Sequence, residues 1–167
     1  KPLTIIIPMI GLGDSFAKAG YSQPRPLVNI VGRPILLWLL DNLTFNAQDV
    51  VYLVVPAMVE RQHAIGKLVS SEFRTLNVTV VPMQFETRGW IETIFSVVRQ
   101  MPGRELRMPL VTLDCSTIYH GVDLLAKVRE LPEGAGASCY FDIASGTYLK
   151  DSGSVASQFS YIQLNPE

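Results

Sequence analysis

Two stretches near the amino terminus carry residue types that bind anions. Gly11 and Gly13 follow directly on the apolar run at residues 3–7. Glycines at the end of a strand let the backbone turn sharply and bring its N–H groups close to an anion. Further along, two prolines flank Arg25 and fix the backbone on either side of it, so this guanidinium lies on a rigid loop. Taken alone, the glycines also suit an ordinary turn between a strand and a helix.

The two glycines complete neither of the common phosphate-binding sequences. No Gly-Lys-Ser or Gly-Lys-Thr follows them, so the stretch is not a Walker A loop. Phe16 stands where a dinucleotide-binding fingerprint needs its third glycine. An anion site here is therefore of another kind.

A carboxylate follows another predicted strand. Residues 110–113 form an apolar run, and Asp114 comes directly after it. The carboxyl ends of parallel strands meet at one edge of a sheet, and Mg²⁺ bound there by Asp114 would bridge protein and phosphate oxygens. The alternative is that Asp114 caps the turn after the strand, which is a common task for aspartate.

A third stretch, residues 84–93, leads into a predicted helix that begins at Trp90. A loop that ends at Thr87 or Gly89 would offer the free backbone N–H groups of a helix start to a ligand. The alternative is plain capping of this helix by Thr87, with Glu92 in its first turn.

The elements that position these residues alternate between strands and helices. This order predicts an α/β fold of the Rossmann-like three-layer α/β/α kind, with a mostly parallel sheet and ligands at the carboxyl ends of its strands. We expect one domain over residues 1–167. The predicted strands are 3–7, 50–55, 78–81, 110–113, 137–143 and 159–164, and the predicted helices are 34–43, 58–73, 90–101 and 122–130.

Composition narrows the class of protein and of partner. Hydrophobic residues make up 48% of the 167 and charged residues 17%, and the net charge is −1. We therefore expect a soluble cytoplasmic protein that binds neither nucleic acid nor membrane, so any phosphate site must be local. The cysteines, Cys115 and Cys139, are predicted to be buried thiols in a reducing compartment, because too few histidines lie near them for a zinc site.

Four short stretches together resemble a family signature. Their order and spacing are similar to the amino-terminal signature of the sugar-phosphate nucleotidyltransferases, the NDP-sugar pyrophosphorylase-like enzymes. In that family the signature runs Gly-x-Gly-x-Arg-Phe, then Pro-Lys-Pro-Leu, then Gly-x-Pro before a helix. The matching stretches here are 11–16, 19–21, 24–27 and 31–34.

The resemblance implies a function and a set of site residues. It implies a transferase of sugar nucleotide biosynthesis that joins a nucleoside triphosphate to a sugar 1-phosphate or a similar phosphate and releases pyrophosphate with Mg²⁺. Monomer and homo-oligomer both stay open from the sequence. Arg25 and Asp114 would be catalytic, and Asp114 would hold the metal. The nucleotide-binding residues would be Gly11, Leu12, Gly13, Gln84, Gly89 and Thr93.

The chain departs from the family pattern at charged positions. Ser15 stands where the family has an arginine, and Ser116 stands where it has a second metal carboxylate. Both changes remove charge that would act on phosphate oxygens. We also expect these 167 residues to lack the family's carboxyl-terminal sugar-binding part.

Three hypotheses remain open from the sequence. The first is an active nucleotidyltransferase. The second is a catalytically decayed relative that serves as a nucleotide-binding or sugar-nucleotide-binding regulatory domain. The third is a doubly wound domain that binds another anionic ligand, which the weak acidic pair of Asp14 and Asp114 disfavours.

Overall fold

A computed structural model of the chain describes residues 1–10 and 14–139. Its centre is a parallel four-stranded sheet in the order β5-β4-β1-β6. Apolar strands with few charges fit this position, because a parallel sheet is covered on both faces. The strands are β1 (Thr4–Pro8), β4 (Val50–Pro56), β5 (Asn77–Met83) and β6 (Leu110–Thr112).

The connecting elements complete the chain in order. A two-stranded antiparallel hairpin precedes a helix of mostly buried apolar residues, and its turn holds Val31 and Gly32 at positive φ. These elements are α1 (Asp14–Lys18), a 3₁₀ turn (Arg25–Leu27), β2 (Asn29–Ile30), β3 (Arg33–Pro34), α2 (Ile35–Asp41), α3 (Ala57–His63), α4 (Ile65–Glu72), α5 (Trp90–Val98), a second 3₁₀ turn (Glu105–Arg107) and α6 (Leu124–Glu130).

Side chains that alternate along the strands build two cores, one on each face of the sheet. On one face, Ile5 and Ile7 pack with apolar residues of α2, α4 and α6. On the other face, Ile6 and Val54 pack with Val97 of α5. The sheet therefore lies between two layers of helices, which confirms the predicted Rossmann-like α/β class.

Four predicted strands are confirmed, but the helix predicted over residues 58–73 is wrong in its continuity. The chain forms α3 and α4 instead, with Ala64 between them in the left-handed region at φ 48°. The Glu60 carboxylate accepts a bond from the Gly66 N–H at 3.3 Å and so caps the start of α4. This break lets α4 lay Gly66 directly against Val80 of β5.

Other predicted boundaries lie partly beyond the described residues. Residues 137–139 form no regular element, and the rest of the predicted strand 137–143, like the strand 159–164, lies outside the described residues. The chain divides into two compact units, Lys1–Leu131 and Pro132–Glu167. The single domain over 1–167 stays a prediction. In the described part of the chain, no helix has both the length and the apolar character that a bilayer span requires.

A buried ion pair joins the amino ends of two central strands. Asp49 is fully buried, and its carboxylate accepts bonds from the backbone N–H groups of Leu3 and Asn46, each at 2.8 Å. Arg129 of α6 forms an ion pair with the same carboxylate and is itself only 13% exposed. A buried charge needs such partners, because it has left the solvation of water.

We predict that Arg129→Met destabilises the protein by about 2–4 kcal/mol, because it leaves the Asp49 carboxylate buried without a counter-charge. Arg129→Lys should recover part of the loss. Lys127→Met, an exposed change of equal charge on the same helix, should alter the free energy of unfolding by less than about 0.5 kcal/mol. Urea unfolding measures all three, and equal effects of the two methionine variants would contradict the structural role of the pair.

The close contact of α4 with β5 leads to a second prediction, which concerns the free energy of unfolding. A methyl group added at Gly66 would lie 2.2 Å from Cγ2 of Val80, a side chain with little freedom to rotate. Gly66→Ala should therefore cost roughly 1–3 kcal/mol in spite of its higher helix propensity. The matched change Gly103→Ala meets only the Arg107 side chain, at 3.7 Å, and should be close to neutral. A thermal melt of both variants tests this, and a stabilising Gly66→Ala would refute the close packing.

Candidate functional site

The structure brings Arg25 and Asp114 together at the carboxyl edge of the sheet. Asp114 follows β6, where the Leu113 N–H still donates to the Ile6 carbonyl at 3.0 Å. Arg25 begins a 3₁₀ turn whose other residues, Pro26 and Leu27, are buried. The buried residues hold the turn in place, so the arginine lies in a defined position beside the end of β6.

The two side chains form a forked contact that includes Ser116. Nη2 of Arg25 donates to Oδ1 and Oδ2 of Asp114 at 2.8 and 2.9 Å. Nε of Arg25 donates to Oγ of Ser116 at 2.9 Å, and Nη2 also contacts that oxygen. Residues that are 89 positions apart in sequence therefore make one connected site.

Asp114 also organises its own turn, as the alternative interpretation of this residue predicts. Its Oδ2 accepts bonds from the Ser116 N–H at 3.2 Å, the Ser116 hydroxyl at 2.6 Å and the Thr117 hydroxyl at 3.1 Å. Cys115, which lies between Asp114 and Ser116 in the sequence, is fully buried in the core and so anchors the turn. The capping role and the position beside Arg25 thus belong to the same carboxylate.

The ion pair is only partly shielded from water. The side chains of Arg25 and Asp114 are 28% and 30% exposed. An ion pair with this much exposure is screened and contributes modestly to stability. It is also open to a ligand from solution.

The side chains as arranged here do not fit a divalent cation. Among the described residues there is no group of three or more histidine, cysteine, aspartate or glutamate side chains that could hold a metal. Both carboxylate oxygens of Asp114 accept bonds from Arg25, whose positive charge repels a second cation. The role of Asp114 as a Mg²⁺ ligand stays a prediction from the family resemblance.

The segment at residues 84–93 is organised by Thr93. This residue is only 1% exposed, and its hydroxyl bonds to the Thr87 hydroxyl at 2.6 Å and to the Gly89 carbonyl at 3.2 Å. Thr87 therefore ties the loop to α5 and does not cap the helix with its side chain. Gly89 precedes the helix and is exposed, whereas the Thr93 hydroxyl already has two partners within the loop. Nucleotide contact by either residue stays a prediction.

Glu92, in the first turn of α5, binds Arg88 of the same loop. Its carboxylate accepts the Arg88 N–H at 2.6 Å and pairs with the Arg88 guanidinium at 3.1 Å. The backbone bond, followed by the side-chain bond, lowers the pKa of Glu92 below its usual value. The start of α5 thus keeps a negative charge near its free N–H groups, a favourable place for one.

Gln84 lines a separate cleft at the edge strand β5. The cleft has a volume of about 670 Å³, and among the described residues that line it are Phe85, Tyr52 and Glu105 but neither Arg25 nor Asp114. The Tyr52 hydroxyl donates to the Glu105 carboxylate. Burial, and then this bond, raise the pKa of Tyr52 to about 12, so it remains a donor at neutral pH. Sequence reasoning missed this pair, because no local pattern joins residues 53 positions apart.

Three further predicted nucleotide-binding residues belong to the glycine-containing stretch that follows β1. Gly11, Leu12 and Gly13 lie outside the described residues. Their part in an anion cradle stays a prediction. The assembled site therefore consists of Arg25, Asp114 and Ser116.

Comparison with known proteins finds likeness in structure but none in sequence. No family model matches the chain, and no curated protein sequence matches it. A solved structure of a nucleoside-diphosphate-sugar pyrophosphorylase from Vibrio cholerae RC9 aligns with a TM-score of 0.46 and 15% sequence identity. The alignment covers 70% of this chain and 51% of that one, so the chain spans about half the length of the protein it matches.

The buried position of Cys115 makes a prediction about thiol chemistry beside the site. Burial, and then the negative charge of Asp114, raise the pKa of the Cys115 thiol to about 12. At pH 8 the Cys115 thiol is therefore protonated as well as inaccessible. Cys139 is exposed, so the prediction that both thiols are buried is wrong for Cys139. Ellman's reagent should label one cysteine in the folded protein and two in urea. Native labelling of Cys139→Ser at the wild-type rate would contradict the burial of Cys115.

Proposed function

We propose that this chain is a nucleotidyltransferase-like domain that binds a nucleoside triphosphate at the carboxyl edge of its sheet. The observation that carries the proposal is the meeting of Arg25, Asp114 and Ser116 at that edge. Parallel α/β sheets bind their ligands at this edge. The amino-terminal sequence signature adds the class of ligand, because the resembled family binds nucleotides there.

The proposed reaction joins the nucleotide to a sugar 1-phosphate or a similar phosphate. An oxygen of the sugar phosphate attacks the α-phosphorus of the triphosphate, and the bond between the α-phosphorus and its bridging oxygen to the β-phosphate breaks. Pyrophosphate leaves with that oxygen and its electron pair, and an NDP-sugar forms. Arg25 would hold phosphate oxygens through a charge-assisted fork and stabilise the charge that develops on them.

Mg²⁺ enters this proposal only as an ion that the nucleotide would carry. Magnesium usually keeps several waters and binds through substrate phosphates with one or two carboxylates. In the structure the carboxylate of Asp114 is paired with Arg25. The proposal therefore gives Arg25 the task of neutralising phosphate.

A second candidate function is nucleotide binding without turnover. Ser116 contributes no negative charge where the resembled family has a metal carboxylate, and it bonds to Arg25 instead. Losing one preorganised charge-stabilising group commonly costs a factor of about 10²–10³ in rate. A domain of this kind would sense a nucleotide or sugar nucleotide and regulate a partner.

The test of the proposal is pyrophosphate release, together with calorimetric binding, for a panel of nucleoside triphosphates and sugar 1-phosphates. Arg25→Gln should weaken triphosphate binding roughly tenfold or more, because it removes charged hydrogen bonds to phosphate. The exposed Arg104→Gln carries the same change of charge and should bind within about twofold of wild type.

The outcomes separate the two functions. Turnover that Arg25→Gln abolishes supports the transferase. Binding that Arg25→Gln weakens, without turnover by the wild type, supports the regulatory domain. Absence of both binding and turnover, or equal effects of the two arginine variants, would refute nucleotide recognition at this site.

A further inference from the structure

We propose that Asp114 is the internal counter-ion of an anion-binding Arg25, so that ligand phosphate competes with Asp114 for one guanidinium. This inference rests on the proposed function in one respect, namely that the anion is a polyphosphate. It assigns Asp114 a role opposite to that of a metal ligand. A metal ligand helps phosphate to bind, whereas a counter-ion opposes it.

The geometry shows which parts of Arg25 are occupied. Nε and Nη2 donate to Ser116 and Asp114. The hydrogen bonds that Arg25 makes to described residues come from Nε and Nη2 and leave Nη1 out. An incoming anion can therefore contact Nη1 first and then take over the two occupied nitrogens.

The surroundings of Asp114 make the exchange feasible. When Arg25 turns away, the carboxylate keeps the Ser116 N–H, the Ser116 hydroxyl and the Thr117 hydroxyl as donors. It is also 30% exposed to water. The released charge is therefore neither buried nor unpartnered, and the penalty for separating the pair is that of a surface ion pair.

Charge favours the polyphosphate over Asp114 in the competition for the Arg25 guanidinium. A polyphosphate carries several negative charges and accepts the planar fork of an arginine through two oxygens at once, so it competes well with a single carboxylate. The charge that remains on Asp114 then repels the bound phosphate. Removal of that charge, with the hydrogen bonds of the turn kept, should strengthen anion binding.

The experiment measures calorimetric binding of tripolyphosphate in EDTA and in Mg²⁺ to wild type, Asp114→Asn and Glu130→Gln. Asparagine keeps an acceptor for the turn but loses the charge. We expect Asp114→Asn to bind tripolyphosphate about two- to fivefold more tightly in EDTA, the range that a partly exposed ion pair supplies. Mg²⁺ should weaken binding to wild type and Asp114→Asn alike, because it neutralises the ligand.

Glu130→Gln is the matched control for net charge. This glutamate ends α6 and is exposed, and its replacement changes the net charge by the same amount. It should bind like the wild type. Equal tightening by both variants would overturn the proposal, because the effect would then come from net charge alone.

Two further results would overturn the counter-ion role of Asp114. If Asp114→Asn binds more weakly in Mg²⁺ and unchanged in EDTA, Asp114 is a metal ligand. If no protein binds tripolyphosphate, release of Arg25 creates no anion site. In either case the pyrophosphate-release assay judges the proposed function separately.

Calorimetric binding of nucleotides distinguishes a failure of the counter-ion role of Asp114 from a failure of nucleotide recognition. If Asp114→Asn tightens tripolyphosphate binding but ATP, CTP, GTP and UTP bind no better than tripolyphosphate, the counter-ion role stands and nucleotide recognition fails. If nucleotides bind the wild type and Asp114→Asn gives no gain, the counter-ion role fails and nucleotide recognition stands.

A measurement on the wild type covers the case in which Asp114→Asn does not fold. The Nε–Hε signal of Arg25 in a ¹⁵N spectrum, assigned by its loss in Arg25→Lys, reports the bond to Ser116. Tripolyphosphate should shift this signal along the calorimetric binding curve. A signal that stays in place at saturation would overturn the exchange of partners.

Discussion

The parallel pairing of β1 between β4 and β6 is the constraint on which the rest of the structure depends. Ile5 of β1 is in register with Val51 on one side and Val111 on the other, and all three are buried. Because the three strands run in one direction, their carboxyl ends meet at a single edge. Asp114, which follows the end of β6, and the 3₁₀ turn that carries Arg25 both lie at this shared edge.

Two arginine–aspartate pairs stand at opposite edges of the same sheet, and burial gives them different tasks. Asp49 at the amino edge is fully buried, and two backbone N–H groups and Arg129 hold it there. Separating that pair would leave a charge without solvent. The pair at the carboxyl edge is about one-third exposed, so water or a ligand can replace either partner. The same chemistry therefore stabilises the fold at one edge and leaves an accessible ion pair at the other.

Two of the predicted nucleotide-binding residues, Gln84 and Thr93, have different surroundings in the structure. Gln84 directly follows β5 and lines the cleft with Tyr52 and Glu105, while Thr93 is buried in the first turn of α5 and bonds to the loop before it. The site residues that the family resemblance implies are thus not equivalent in the structure. Arg25 and Asp114 are open to solvent and in contact, Gln84 lies in another cleft, and Thr93 holds a loop together.

The sequence by itself determined the α/β class and the places of the four central strands. A strand that is buried on both faces needs a continuous apolar run, and such a run, like the helix that follows it, is visible in the local sequence. The sequence also indicated Arg25 and Asp114 as candidate site residues, since the prolines and the strand end that position them are local features. Only the tertiary structure decided that these residues pair with each other, that Ser116 bridges them and that Ala64 divides one predicted helix in two. The reason is physical: each of these outcomes depends on which side chain meets another across the fold, and the 89 positions between Arg25 and Asp114 carry no local signal of that contact.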